Sequence, residues 1–414
     1  MAFNTTSTTL ELVGFTPEPN GRGTMSILYS CLAVLLLNTW TVFHPNIPPK
    51  DQNKYRKWVH VFKVISSATV APDAISTVAF SQWRCARKAT KILQPMLPWW
   101  SIKHSFYAEM GGYRVVDKRS GQMYCFRPLQ LAWLHKEKII EIPEISTEDI
   151  DDRSGADVLA KILACAQSTW FLVPTSARLQ QKLTLTTLKI LLLPYVAVTW
   201  MIYFFWWTKP LRMESYTKIP VESLPDAKLI QLAKATLPVD EVPNWWRPVP
   251  LEMHDRAWEF WWMEKPWDLK RLHTQVARTM AESWVADWYR DAVNEAHPSE
   301  WDCWDDIVIY LSGSFIYGFG LVAWDYRFPT PAERIVWRVS VLTSCGGITI
   351  WVPLAFMLRW LRPGNTWKEL PFYVLTVMVF AARLIIIAQV FAGLRLVPEG
   401  VFASANWSSY IPHV

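Results

Sequence analysis

Apolar side chains in this chain are gathered into blocks of membrane-spanning length, and the connectors between them carry most of the charge. About 20 consecutive apolar residues make a helix roughly 30 Å long, the depth of a bilayer's hydrocarbon core. Five blocks are nearly unbroken: Ile27–Phe43, Leu183–Trp207, Ile307–Trp324, Ile335–Leu358 and Phe372–Leu394. Val59–Trp83 and Val158–Ala177 are of similar length but carry several polar residues each. An aromatic run, Pro95–Tyr113, reads as a segment lying in the interface. The expected fold is all-α, a polytopic integral membrane helix bundle of about seven (6–8) transmembrane helices.

The organisation follows from these blocks. Residues 1–25 form a polar leader ending in a Pro/Gly-rich turn, with Thr24 as a cap for the first helix. Residues 26–207 hold the N-terminal membrane helices and an amphipathic connector. Residues 208–306 form a tryptophan-rich insertion whose Met253–Ala296 portion has helical periodicity and suits an interfacial position. Residues 307–414 form a C-terminal three-helix membrane segment. Mean hydropathy is only +0.09 because charged connectors dilute the apolar blocks. The leader has neither a basic n-region nor a small-residue cleavage site, so the first block reads as a retained helix. Lysines and arginines flank both ends of the second block, which leaves orientation open.

A net charge of +6, with no basic stripe, points away from nucleic acid. Six cysteines are scattered without CxxC or zinc-ligand spacing, and the acidic run Asp151–Asp157 departs from diphosphate-binding patterns. No metal and no cofactor is therefore expected. Asp157 reads as a cap for the Val158 helix.

Asp73 is the only charge between Val64 and Arg84. A carboxylate at that depth costs at least ~2.5 kcal/mol on insertion scales, so it needs a partner, a wet cavity or a chemical task. Ser66, Thr69, Ser76 and Thr77 share its helical stripe, which predicts a polar-lined pocket. Burial raises a carboxyl pKa and would make Asp73 a general acid. Arg383, the only charge in the last block, offers instead an ion pair that would keep it ionised. Both readings stand, with ion or substrate binding as a third. Glu109, just before Gly111-Gly112, is the second candidate catalytic carboxylate. His104 lies five residues earlier, on a different helical face. Tryptophan makes up 26 of 414 residues, enough for interfacial anchoring and for pocket walls that stabilise cations.

Several strings together resemble a known group: Glu18-Pro19-Asn20-Gly21-Arg22-Gly23-Thr24, His44-Pro45-Asn46-Ile47-Pro48, Ala71-Pro72-Asp73 with Gln82-Trp83, His104 with Met110-Gly111-Gly112, Trp206-Trp207-Thr208-Lys209-Pro210, Phe328-Pro329-Thr330 and Tyr410-Ile411-Pro412-His413. The chain is similar to filamentous-fungal multipass membrane proteins. Within them it resembles the membrane-bound terpene cyclases of ascochlorin- and ascofuranone-type meroterpenoid biosynthesis. That resemblance implies an epoxidised prenyl chain on an aromatic head group as substrate, closed into a ring after epoxide protonation. It carries over no residue roles. On this reading Asp73 and Glu109 are the catalytic candidates, and Arg383, His104, Gln82 and Trp83 the substrate-binding ones. The partners are a lipophilic small molecule and the lipid bilayer, and the location is the endoplasmic reticulum membrane. A transporter, with Asp73 and Arg383 as coupling charges, is the competing expectation. A non-enzymatic scaffold using the 208–306 insertion is the third.

Overall fold

The computed structural model describes residues 11–224 and 304–404, apart from 19–21, 43, 45–46, 48–57, 59–61, 63–64, 67, 120, 122, 127, 155–156, 212, 214 and 361–365. The expected helix over Met253–Ala296 lies outside the described residues. The chain is mostly helical. Among the described residues, three helices are long and apolar enough to cross a membrane: α1 (Thr24–Val42), α7 (Thr187–Trp206) and the stretch Val377–Arg395 ending the last helix.

Side-chain contacts order the helices between two faces. α1 and α7 run parallel, with the Thr41 and Tyr203 hydroxyls hydrogen-bonded near both C-termini. α6 (Asp157–Gln180) runs against them: Lys161 near its start meets the carbonyls ending α7, and Arg178 near its end meets Thr184 before α7 begins. α8 (Trp304–Gly318), α9 (Pro331–Trp360) and α10 (Thr366–Ala392) complete the bundle. α9 and α10 form an antiparallel pair, Gln389 Nε2 donating to the Glu333 carbonyl at 2.9 Å. Gly347 permits their close approach, because a Cβ there would run into Val379.

α1 is launched by its leader. Thr24 N–H donates to the Thr16 carbonyl and its hydroxyl accepts from Thr16 N–H, each at 3.0 Å, while Glu18 accepts from Ser26 N–H at 3.1 Å. A carboxylate over the first turn satisfies an orphan donor and complements the helix dipole. The leader also pairs strand β1 (Leu12–Val13) with β5 (Val397–Pro398), closing that face of the bundle.

The opposite face carries a small layered unit. It holds α3 (Ile102–Glu109), α4 (Pro128–Lys136), α5 (Thr147–Arg153) and a three-stranded sheet of β2 (Tyr113–Asp117), β3 (Met123–Cys125) and β4 (Thr217–Val221). β2 pairs antiparallel with β3 and parallel with β4. Trp100, Tyr107, Tyr113, Leu131, Ile150 and Ile219 are buried in its core, separate from the bundle's own. The amphipathic connector thus contributes a sheet as well as helices, which the all-helical expectation did not include.

α2 (Pro72–Leu93) departs from the expected single span Val59–Trp83. Residues 68–70 are helical, Ala71 leaves the helix at φ −138° and ψ 64°, and a new helix starts at Pro72. Proline's ring disfavours the helical conformation in the residue before it, and proline is at home in a first turn. Ile47 is held on the sheet face by its N–H to the Met110 carbonyl at 2.9 Å, and Leu93 and Leu97 sit in the same apolar core as Ile47. Ile47 and Leu93 thus lie on the same face, while Ala71-Pro72 sits inside the bundle, beside Tyr195 and Tyr317.

Candidate functional site

Asp73 stands just after this break, inside the bundle. It occupies the first turn of α2 and meets Arg383 of α10, Nη2 to Oδ2 at 2.7 Å and Nη1 to Oδ1 at 3.3 Å. Asp73 is 2% exposed and Arg383 8%. The guanidinium lies 4.2 Å from the centre of the Tyr317 ring. The break at Ala71 orphans the carbonyls of residues 69 and 70, which hydroxyls satisfy: Tyr195 donates to Thr69 at 2.5 Å and Tyr317 to Val70 at 2.7 Å. Ser76 and Thr77 donate to the Asp73 carbonyl at 2.8 and 3.0 Å, and Ser76 reaches Ser312 of α8 at 3.0 Å. A carboxylate held through both oxygens by one guanidinium is a bidentate, charge-assisted ion pair. Of the readings open for Asp73, the geometry is that of the ion pair.

The cleft beside this node is narrow. Leu35, Asn38, Ala68, Pro72, Tyr195 and Thr199 are among its lining residues, and about 20 Å³ of it is open to the centre of a water molecule. That holds one or two waters and falls far short of a prenyl chain.

A second polar centre lies on the same helix, nearer the sheet face. Gln82 is nine residues after Asp73, which on a helix means about 13 Å along the axis and the opposite side. Its Oε1 accepts from Lys209 Nζ at 2.8 Å, and the same ammonium donates to the His44 carbonyl at 3.2 Å. Lys209 is directed inward by the turn that ends α7. Lys161 holds that turn by donating to the carbonyls of Trp206, Trp207 and Lys209 at 3.1, 3.0 and 2.9 Å. Lys209 Nζ lies 4.4 Å from the centre of the Trp206 ring, which packs on the His44 imidazole with ring centres 5.1 Å apart.

Lys209 is only 1% exposed. Burial pushes its ammonium down to about 7; the Glu109 charge opposes that shift and the Lys161 charge adds to it. Glu109 ends α3, and its Oε2 is buried with no hydrogen-bond partner among the described residues. The centre thus combines a desolvated ammonium with a nearby buried acidic side chain.

The other expected site residues are placed differently. His104 caps its own helix. Its Nδ1 accepts from Ser101 N–H at 3.0 Å and its Nε2 meets the Ile145 carbonyl at 2.8 Å. Burial lowers its pKa, which favours the neutral ring that this pairing requires. Trp83 packs among Phe80, Phe204 and Phe205, with the Arg87 guanidinium 4.6 Å from its ring centre. Gly112 lies flat on the Tyr107 ring, where any Cβ would collide, and Gly111 takes φ 80°. Asp151 pairs with Lys103 at 2.7 Å on the surface. Among the described residues no three His, Cys, Asp or Glu side chains converge as a metal site.

Sequence reasoning named Gln82 and Glu109 but passed over Lys209, Lys161 and His44 as site residues. The available signal was the Trp206-Trp207-Thr208-Lys209-Pro210 string, where proline forces a turn directly after an apolar span. Residues 1–244 match the model of a family of unknown function, DUF8562. The chain belongs to this family. The DUF8562 match includes Asp73, Gln82, Glu109 and Lys209, and stops short of Arg383. No curated protein and no solved structure matches the chain.

Proposed function

We propose that this DUF8562 protein is a multipass enzyme of the endoplasmic reticulum membrane in fungal secondary metabolism. In this reading it is a terpene cyclase that closes a ring on the epoxidised prenyl chain of a meroterpenoid. α1, α6, α7, α8, α9 and α10 are its membrane crossings, and the segment ending in α2 is the remaining, re-entrant one. The acid–base centre is Lys209 with Glu109, and Asp73–Arg383 holds the tip of the re-entrant segment in place.

The observation that carries this reading is the buried ammonium at Lys209, brought to about 7 beside a carboxylate oxygen with no hydrogen-bond partner among the described residues. A group with that pKa is near the optimum for general acid–base work at neutral pH. Lys209 would give its proton to the epoxide oxygen as the carbon–oxygen bond opens. An alkene's electron pair would close the ring on the developing cation, and Glu109 would take the final proton. The sum is an isomerisation with no redox partner. Trp206, and Trp83 with its phenylalanine neighbours, supply ring faces that stabilise a passing cation by ~0.5–2 kcal/mol.

A transporter is the second reading, favoured by the helix break at Ala71 with a charged pair at its tip. One experiment separates the two. Microsomes carrying wild type, Lys209→Met or Asp73→Asn receive an epoxyfarnesyl-phenol, and cyclised product is measured by mass spectrometry at matched amounts of folded protein. The expected result is product from wild type and Asp73→Asn, and at least a hundredfold less from Lys209→Met, the scale on which one general acid acts. Equal product from Lys209→Met would remove Lys209 as the acid. No product from any of the three would overturn the cyclase reading for this substrate.

A further inference from the structure

One side of α2 turns from aromatic to basic as the helix leaves the bundle. Phe80 and Trp83 come first, and Arg84, Arg87, Lys88 and Lys91 follow at the i, i+3, i+4 and i+7 spacing that keeps side chains on one face. Arg87, Lys88 and Lys91 are exposed, whereas Ala86, Ala89 and Leu93 on the other side are buried. The aromatic part joins the end of α7, a helix apolar enough to span a bilayer. Trp83 packs on Phe204 and Phe205 with ring centres 6.4 and 5.4 Å apart, and Phe204 and Trp207 are 69% and 52% exposed. The basic part is laid over these rings. The Arg84 guanidinium lies 5.5 Å from the Phe80 ring centre and that of Arg87 4.6 Å from the Trp83 ring centre.

The acids around this stripe do not cover it. No Asp or Glu occurs between Asp73 and Glu109. α3, α4 and α7, which pack on α2, carry one acid among them, Glu109, whose Oε2 is buried. α8 runs antiparallel to α2, as the Ser76–Ser312 and Val70–Tyr317 hydrogen bonds require, so Asp305 and Asp306 of its first turn come level with Arg84. Arg87, Lys88 and Lys91 lie further out than that turn. On the sheet-face unit, Asp117 accepts from the Arg119 and Leu224 N–H groups, Asp149 accepts from Ser146, and Asp151 and Glu222 pair with Lys103 and Lys118. Its other acids, Glu137, Glu141, Glu144, Glu148 and Asp152, follow α4 or belong to α5.

Exposed indoles at the end of an apolar span mark the boundary between hydrocarbon and headgroups. From Arg84 to Lys91 the stripe rises about 10 Å along the helix axis, and the headgroup layer beyond that boundary is roughly 5–8 Å deep. The basic groups therefore stand where lipid phosphates stand. A basic cluster on a helix directly outside the hydrocarbon attracts acidic headgroups, and guanidinium and ammonium donors hydrogen-bond their phosphate and carboxylate oxygens.

We infer that Arg87, Lys88 and Lys91, with Arg84 at the inner end, form a docking surface for anionic phospholipid headgroups of the surrounding bilayer. The surface rests on the membrane reading of the bundle and is independent of the chemistry proposed at Lys209.

Carbonate extraction of expressing membranes comes first, since release of wild type would overturn the membrane reading and the surface with it. The detergent-solubilised full chain is then titrated by native mass spectrometry with phosphatidylserine and, separately, with phosphatidylcholine of the same acyl chains. The variants are Arg87→Gln/Lys91→Gln, the charge-preserving Arg87→Lys/Lys91→Arg, and Lys182→Gln/Arg334→Gln, which removes the same charge from exposed positions on the opposite face. Wild type should prefer phosphatidylserine. One basic residue at an anionic surface changes affinity roughly fivefold, so Arg87→Gln/Lys91→Gln should bind phosphatidylserine about tenfold or more weakly. Phosphatidylcholine binding should be unchanged, and the other two variants should match wild type. Tryptophan-fluorescence melts confirm folding, which substitution at two exposed positions should leave intact. No preference for phosphatidylserine in wild type, or an equal loss in the opposite-face variant, overturns the surface while leaving the membrane reading in place. Undiminished binding by Arg87→Gln/Lys91→Gln does the same.

Discussion

Replacing Arg383 by methionine strands a carboxylate inside the bundle, and the structure sets the size of the effect. Contacts of 2.7 and 3.3 Å between Asp73 and Arg383 put the charge centres roughly 4 Å apart, an attraction of about 4 kcal/mol at an effective dielectric near 20. Removing one partner from such a buried pair destabilises by about 3–5 kcal/mol, because the survivor stays desolvated. Asp73→Asn belongs at the lower end of that range, since the Tyr317 ring face still stabilises the guanidinium. The double variant Asp73→Asn/Arg383→Met removes both charges and should lose at least ~2 kcal/mol less than the two singles added together. The assay is unfolding by sodium dodecyl sulfate in mixed micelles, followed through the protein's own 26 tryptophans. Additivity within about 0.5 kcal/mol would mean the residues are uncoupled. Singles that each cost under about 1 kcal/mol would mean the pair is solvated like a surface ion pair. Either result refutes the reasoning.

Gly112→Val should destabilise the sheet-face unit by about 1–3 kcal/mol, because the new side chain collides with the Tyr107 ring. Limited proteolysis should then cut near Arg119-Ser120 faster than in wild type, and unchanged cleavage and melting would count against the packing described. The Lys209 ammonium, at about 7 when folded against 10.5 ordinarily, binds fewer protons in the folded state across that window. Its penalty is therefore complete below about pH 7 and relieved as pH rises toward 10.5, so stability from this group increases with pH. Melting of wild type should rise between pH 6 and about pH 9 relative to Lys209→Met, and parallel profiles would deny the burial of that charge.

Much of the molecule was legible in its sequence because the controlling interactions are local. The α1 and α7 spans and the apolar last helix follow from uninterrupted hydrophobicity, since hydrocarbon tolerates only a backbone that satisfies itself. Asp73 and Arg383 were nameable together, because a lone acid and a lone base in otherwise apolar blocks each need a partner. The break at Ala71-Pro72 was written there too, in the residue before a proline, yet the length of the apolar block invited one continuous span. The sheet was hidden. β2 pairs in parallel with β4, Tyr113 opposite Thr217, so far apart in the chain that no local pattern announces the match.

What the chain's order of residues determined by itself is where hydrophobic length accumulates, where helices start and stop, and which charges lie at depth. Only the tertiary structure decided what each of those charges meets. Asp73 is paired because α10 delivers a guanidinium to both its oxygens. Lys209 would read as an ordinary loop lysine, but Lys161 of α6 ties down its turn, α2 brings Gln82 and α3 brings Glu109. Desolvation and Coulomb energy are properties of surroundings, and here those surroundings are assembled from segments distant in the sequence.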